Sequence, residues 1–175
     1  MAIIKNNINI KKLTTMDMEV AVADFFNTRV NIVVPNISWG MGIHECDLLV
    51  ISKRNYASEV EIKVSKQDLI KDLSKKHGHE SDKIKYLYFA IPDYLEQYQD
   101  IIPVRAGIIV VNNTVRGGNV FNGCCTLLRP PQINSNYKFS DAEKFNAARL
   151  GTMRIWTLKR KILRIYEKNN KFAKT

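Results

Sequence analysis

The fold turns on His44 to His77, HECDLLVISKRNYASEVEIKVSKQDLIKDLSKKH. Within it, Glu59-Val60-Glu61-Ile62-Lys63-Val64 alternates charged and apolar residues, the pattern of a strand with two unlike faces. Glu59, Glu61 and Lys63 fall on one face and Val60, Ile62 and Val64 on the other. Upstream, Cys46 to Ile51 is an apolar run that carries one acid, Asp47. Downstream, Ser65-Lys66-Gln67-Asp68 is a capping box, an oxygen-bearing cap followed three residues later by an acid, and it predicts a helix to about Lys76. Leu69, Ile70 and Leu73 would face inward, and Lys75, Lys76 and His77 would complement the helix dipole. Gly78 suits the helix end.

Outward from this stretch, Thr14 to Asp17 is a second capping box. It predicts a helix to about Phe26 with Met18, Ala21, Val22, Phe25 and Phe26 on its apolar face. Val30 to Val34 reads as a first strand, closed by Pro35, and NISWGMG (36–42) as a loop with two glycines. Ile84 to Ile91 is apolar almost throughout, as expected of a strand buried on both faces. Asp93 to Gln99 suggests a helical turn. Ala106 to Val111 and Gly123 to Leu128 read as two more strands, with RGGN (116–119) as the turn between them. A long helix follows Pro130-Pro131, from about Ser140 to Tyr166. Its expected inward line is Phe145, Ala148, Thr152, Ile155, Leu158, Ile162 and Ile165, with Trp156 beside that line in the core. The order α-β-β-β-α-β, then two strands and a helix, predicts an α/β domain with one mixed sheet flanked by helices.

The 175 residues suit a single domain. No run approaches the roughly 18–20 apolar residues of a membrane helix, and MAIIKNNINIKK lacks a cleavage site. The three cysteines make no disulfide framework. A reducing, cytoplasmic setting without membrane attachment is therefore expected. The net charge is +10, which points to a polyanionic partner. Residues 139–175 hold ten Lys or Arg against three acids, and so most of that excess.

A carboxylate inside an apolar strand is costly unless something compensates it. Asp47 and Glu61 sit on strands joined by a short turn, so they can approach. Like charges that close repel unless a cation lies between them. An all-oxygen donor pair suits Mg²⁺ or Mn²⁺. Lys63 projects to the same place, where it could orient a water or neutralise charge on a phosphate. These parts serve metal-assisted phosphodiester hydrolysis. The plain structural reading is a surface strand with a Glu61–Lys63 ion pair and an exposed Asp47.

Asp47, thirteen intervening residues, then Glu61-x-Lys63, on successive strands between two helices, resembles the PD-(D/E)XK nuclease superfamily, whose restriction-endonuclease-like core is αβββαβ. The likeness covers about residues 15–91. EIKVSKQDLIKDLSKKH and YLYFAIP also resemble MmcB-like DNA-repair nucleases and their phage homologues. The resemblance implies a metal-dependent endonuclease with Asp47 and Glu61 as metal ligands, helped by the Ile62 carbonyl, and Lys63 as the catalytic lysine. Glu19, on the first helix, would complete the site. Cys46 stands where the family often has proline. DNA is the implied partner, with RNA as the alternative, and a homodimer or a targeting protein would supply further specificity. A catalytically silent nucleic-acid-binding or complex-forming domain on the same fold is the rival reading.

Other residues are assigned around this centre. Ser65 and Asp68 cap the helix and could support the site from behind. Trp39 either stacks on a base or caps the core. Arg154, Lys161 and Arg164, with Lys75, Lys76 and His77, would contact phosphates. Glu59 and Glu45 are expected to be solvated edge charges rather than further acids of the site, and His44 a polar residue at a strand start. Zinc is not expected at His77-Gly78-His79, since two histidines fall short of a zinc ligand set. Cys124 and Cys125 point opposite ways on a strand and are assigned to packing.

Overall fold

The computed structural model describes residues 12–72, 74–75, 78–116 and 119–172. Helix α1 (Thr15–Phe25) opens on the Thr14 capping box: Asp17 N donates to Thr14 Oγ1 at 3.2 Å, and Thr14 N donates to Asp17 Oδ2 at 2.8 Å. Strands β1 (Ile32–Ile37), β2 (Cys46–Ile51) and β3 (Ala57–Ile62) follow as an antiparallel meander. Helix α2 (Lys66–Asp72) carries the chain to β4 (Ile84–Pro92), which lies parallel to β3. A 3₁₀ segment (Asp93–Ile101) leads to β5 (Gly107–Arg116), parallel to β4, and β6 (Asn119–Arg129) pairs antiparallel with it. Helix α3 (Asp141–Phe172) ends the described chain. The result is a mixed six-stranded sheet in the order β1-β2-β3-β4-β5-β6.

β1 runs through Pro35 rather than ending there, because β1 is an edge strand and an edge tolerates the missing N–H. Asn36, with φ of 54°, then turns the strand so that Val34 and Ile37 both meet the α3 side.

The sheet separates two layers of helix. On one face, Met18, Ala21 and Val22 of α1 pack on Leu48, Val50, Val60, Ile62, Ala90 and Ile109. The other face holds two apolar clusters. One gathers Leu49, Ile51, Ala57 and Ile84 under Ala147 and Leu150 of α3. The second gathers Leu87, Phe89, Ile91 and Ile108 under Leu69 of α2 and Leu95 of the 3₁₀ segment. Glu59 and Glu61 pair with Leu87 and Phe89 in the β3–β4 register, on this second face.

Two faces expected inward depart from that reading. On α2 Leu69 is buried as expected, but Ile70 is exposed and Asp72 is buried. Leu73 lies outside the described residues. On α3 the buried residues are Ala147 and Leu150, with Gly151 against Val34. The expected line is outside: Phe145, Ile155, Leu158, Ile162 and Ile165 are exposed, as is Trp156 at 53%. Both stripes have helical spacing. Only the first three turns of α3 lie over the sheet, so the stripe that starts at Ile155 has nothing beneath it; every residue from 155 to 170 is exposed.

Candidate active site

β2 and β3 pair as far as Leu48↔Val60 and then part. In the gap, the Ile62 N–H donates to Asp47 Oδ2 at 2.7 Å, so a carboxylate takes the place of a ladder carbonyl. On the other side of β3 the ladder continues one residue further, with Lys63 N donating to Ala90 O at 3.0 Å. Lys63 is thereby held at the strand end. Asp47, Glu61, Lys63 and Lys75 line a cleft of about 460 Å³ together with Glu45 and Cys46. An adjoining cleft of about 340 Å³ adds Thr15, Asp68, Lys71 and Asp72.

The charged face of β3 is buried: Glu59 is 0% exposed, Glu61 1% and Lys63 7%. Glu59 is therefore not the solvated edge charge its alternation suggested, because α2 and the turn after it cover this face. Two ammoniums and two imidazoles meet the acids. Lys63 Nζ lies 2.6 Å from both Glu61 Oε2 and Asp72 Oδ1. Lys75 Nζ lies 2.8 Å and 2.9 Å from the same two oxygens. His79 reaches Glu59 Oε1 through Nδ1 at 2.6 Å and Asp72 Oδ2 through Nε2 at 2.5 Å. His44 Nε2 donates to Glu59 Oε2 at 2.7 Å. A carboxylate accepts only, so a His79 ring with both nitrogens on carboxylates is the imidazolium.

Acidities follow this wiring. Burial opposes charge on His79, but its hydrogen bonds to Asp72 and Glu59 outweigh it and raise the ring to about 9. Burial likewise opposes the Asp72 anion, yet His79, Lys63 and Lys75 hold that carboxyl well below its usual range. Glu59 is lowered in the same way, burial being outweighed by His44 and His79. Asp47 goes the other way: burial first, and then the neighbouring Glu61, hold it above the usual carboxylate range despite the Ile62 N–H. Burial and the surrounding acids push the Cys46 thiol up, which removes it as a nucleophile.

Glu61 distributes its contacts unevenly. Both ammoniums meet Oε2, while among the described residues the buried Oε1 has no hydrogen-bond partner. One crowded carboxyl held above the usual carboxylate range, and one buried oxygen that accepts no hydrogen bond among the described residues, on the same cleft, are donors that a divalent cation satisfies. The chemistry of that pair fits Mg²⁺ or Mn²⁺.

The other anticipated residues divide. Ser65 and Asp68 cap α2, with Asp68 N donating to Ser65 Oγ at 3.2 Å, and Asp68 also lines the adjoining cleft. Glu19 accepts a long contact, 3.5 Å, from Asn36 Nδ2. Asn36 lies between the pairs Pro35↔Leu48 and Ile37↔Cys46, opposite Asp47. Glu19 is thus near the site's outer side and not among the cleft-lining residues. Trp39 is 54% exposed, so it does not cap the core; neighbouring Gly40 and Met41 pin its loop to Asn146 of α3. Arg154 donates to Asn36 O at 2.5 Å and is committed to β1. Lys161 and Arg164 stand on the exposed part of α3. Lys76 and His77 lie outside the described residues, as does the Cys124 side chain; Cys125 Sγ contacts Ala21 O.

Sequence reasoning missed Asp72 and His79. Asp72 follows Leu69 at helical spacing, a weak signal, and His79 is recognised only when the chain brings it against Glu59, twenty residues upstream.

No protein-family model matches the chain, and no curated protein matches it. Among solved structures it is similar to the SPO1766 protein of unknown function from Silicibacter pomeroyi, with a TM-score of 0.56 and 13% identity over 86% of this chain and 90% of that one. At that identity the likeness shows the fold alone. Among the described residues no helix is long and apolar enough to cross a membrane.

Proposed function

We propose that the protein is a Mg²⁺- or Mn²⁺-dependent deoxyribonuclease of the PD-(D/E)XK type, an endonuclease of the cytoplasm that acts on structured or non-specific DNA. The observation that carries this reading is that Asp47, Glu61 and Lys63 line a single cleft. The net charge of +10 supplies the attraction to a polyanion.

Asp47 and Glu61 would hold the ion, the latter through Oε1, which accepts no hydrogen bond among the described residues. When bound, such an ion supplies Lewis-acid polarisation of a phosphate oxygen. Lys63 orients the attacking water and offsets charge that develops on the phosphate. Asp72 acts through Lys63, fixing the ammonium from the side opposite the strand. Lys75, a third exposed at its side chain, stands at the mouth for a backbone phosphate.

One observation favours a second reading, a silent nucleic-acid-binding domain: both lysines already neutralise Glu61 and Asp72 within the protein. A labelled panel separates the two, comprising linear duplex, single-stranded, nicked, flap and four-way-junction DNA and one RNA. Each is incubated with Mg²⁺, Mn²⁺ or EDTA. Cleavage is expected with either metal and not with EDTA, and Lys63→Ala is expected to slow it about 10²–10⁴-fold. Salt-sensitive binding with no cutting in any arm would replace the nuclease with the binding domain.

A further inference from the structure

Behind the cleft, the lysines are committed to Glu61 and Asp72, and neither meets Glu59. Glu59 is completely buried, and its contacts are two imidazoles, one on each oxygen: His79 Nδ1 on Oε1 and His44 Nε2 on Oε2. His44 precedes β2, Glu59 lies in the middle of β3, and His79 follows α2. Three segments far apart in sequence thus gather two ring nitrogens around one carboxylate. The donor atoms all lie within 4.8 Å of one another, near enough for small side-chain movements to bring them onto bonds of about 2.0–2.2 Å to one ion.

His79 is wired to ligate once an ion displaces the Nδ1 proton to solvent. A metal-ligating ring directs its second nitrogen to a carboxylate, which fixes the ring and raises its basicity. His79 Nε2 lies on Asp72 Oδ2, and Asp72 is itself anchored by Lys63 and Lys75. The ring stands edge-on to Phe89, with centroids 5.7 Å apart, so its plane is fixed by packing as well. His44 is the partly exposed member and leaves a way in from solvent.

The geometry points to a site for a transition-metal dication of the zinc class on His44, Glu59 and His79, behind the oxygen pair of the cleft and independent of the nuclease reading. Two imidazoles and one carboxylate select borderline ions such as Zn²⁺ or Co²⁺ over Mg²⁺. Zinc was not expected from His77-Gly78-His79 because a third donor was lacking in sequence. It is His44, thirty-five positions before His79, that the fold brings to the site.

The test uses the full chain, stripped with chelator and titrated with Co²⁺ under excess Mg²⁺, read by calorimetry and by the visible absorption of the bound ion. One equivalent is expected to bind and to be displaced by Zn²⁺. His44→Ala should weaken binding at least tenfold, and Asp72→Asn about 10–100-fold. Asp47→Asn should leave Co²⁺ binding unchanged, which separates this site from the one in the cleft. In the wild type, Zn²⁺ should shift the ring signals of two of the three histidines in ¹H–¹⁵N spectra, a readout that needs no variant to fold. The proposal is overturned if the wild type binds no Co²⁺, if His44→Ala binds it equally well, or if binding is lost in Asp47→Asn. Absence of DNA cleavage with Co²⁺ binding intact would sink the nuclease reading and leave this one standing.

Discussion

The charged face of β3 and the outer half of α3 invert the usual distribution of residues. On β3 two glutamates are buried, with a lysine at the strand's end; on α3, Ile155, Leu158, Ile162 and Ile165 are in solvent. Both stripes are regular, one with a period of two and the other with helical spacing. The difference lies in what covers them. Asp72, Lys75, His79 and His44 close over the β3 face and offset its charge. Beyond Arg154, by contrast, α3 has run past the sheet edge. Periodicity thus assigns residues to a face, and burial of that face is a separate matter settled by the neighbour.

The largest effect that would break this comparison is at Glu59. If its charge is part of the core, Glu59→Ala leaves two imidazoles without their anion and costs about 3–5 kcal/mol in urea unfolding of the chelated protein. A loss below about 1 kcal/mol, the range of an exposed ion pair, would return Glu59 to the surface.

A matched pair on α3 sharpens the contrast. Leu150→Ala removes a side chain packed with Phe139 and Ile51 and should cost about 2–4 kcal/mol. Ile162→Ser, twelve positions later on the same helix, should change stability by no more than about 0.5 kcal/mol. Equal losses would mean that the outer half of α3 is covered after all.

The smaller effect is at the start of α3. Ser140 N and Oγ each donate to Glu143 Oε2 at 2.9 Å, Glu143 N donates back to Ser140 Oγ at 3.3 Å, and Lys83 Nζ lies 3.1 Å from Glu143 Oε1. Burial opposes the anion, but these bonds and that of Tyr137 together outweigh it and hold its carboxyl at about 2, below its ordinary value of 4.5. A carboxyl whose pKa is lowered on folding contributes stability that is present above the unfolded pKa and fades as pH falls through the folded one. Glu143→Gln should therefore cost about 1 kcal/mol at neutral pH. Its stability should also fall less steeply than that of the wild type between pH 4.5 and 2.

Much of the frame was legible in the chain. Thr14–Asp17 and Ser65–Asp68 opened helices where read, since a capping box is complete within four residues. Ile84 to Ile91 is the buried strand its apolar run implied. The Ser140 box was passed over, although it has the same form. At the site, the common direction of Glu59, Glu61 and Lys63 was readable, and so was the nearness of Asp47. The burial of Glu59, and the parts taken by Asp72, His79 and His44, were not.

What the sequence determined by itself is therefore local. Strand alternation, helix caps and strand order depend on residues within a few positions of one another, where backbone geometry leaves little choice. The tertiary structure alone decided what depends on distant segments meeting. It joined His44, Glu59 and His79 at one point, opened β2 from β3 at Asp47, and laid only the first turns of α3 over the sheet. The physical reason is that a buried charge, or an apolar stripe, has an energy set by whatever lies against it, and no periodicity within one element specifies that neighbour.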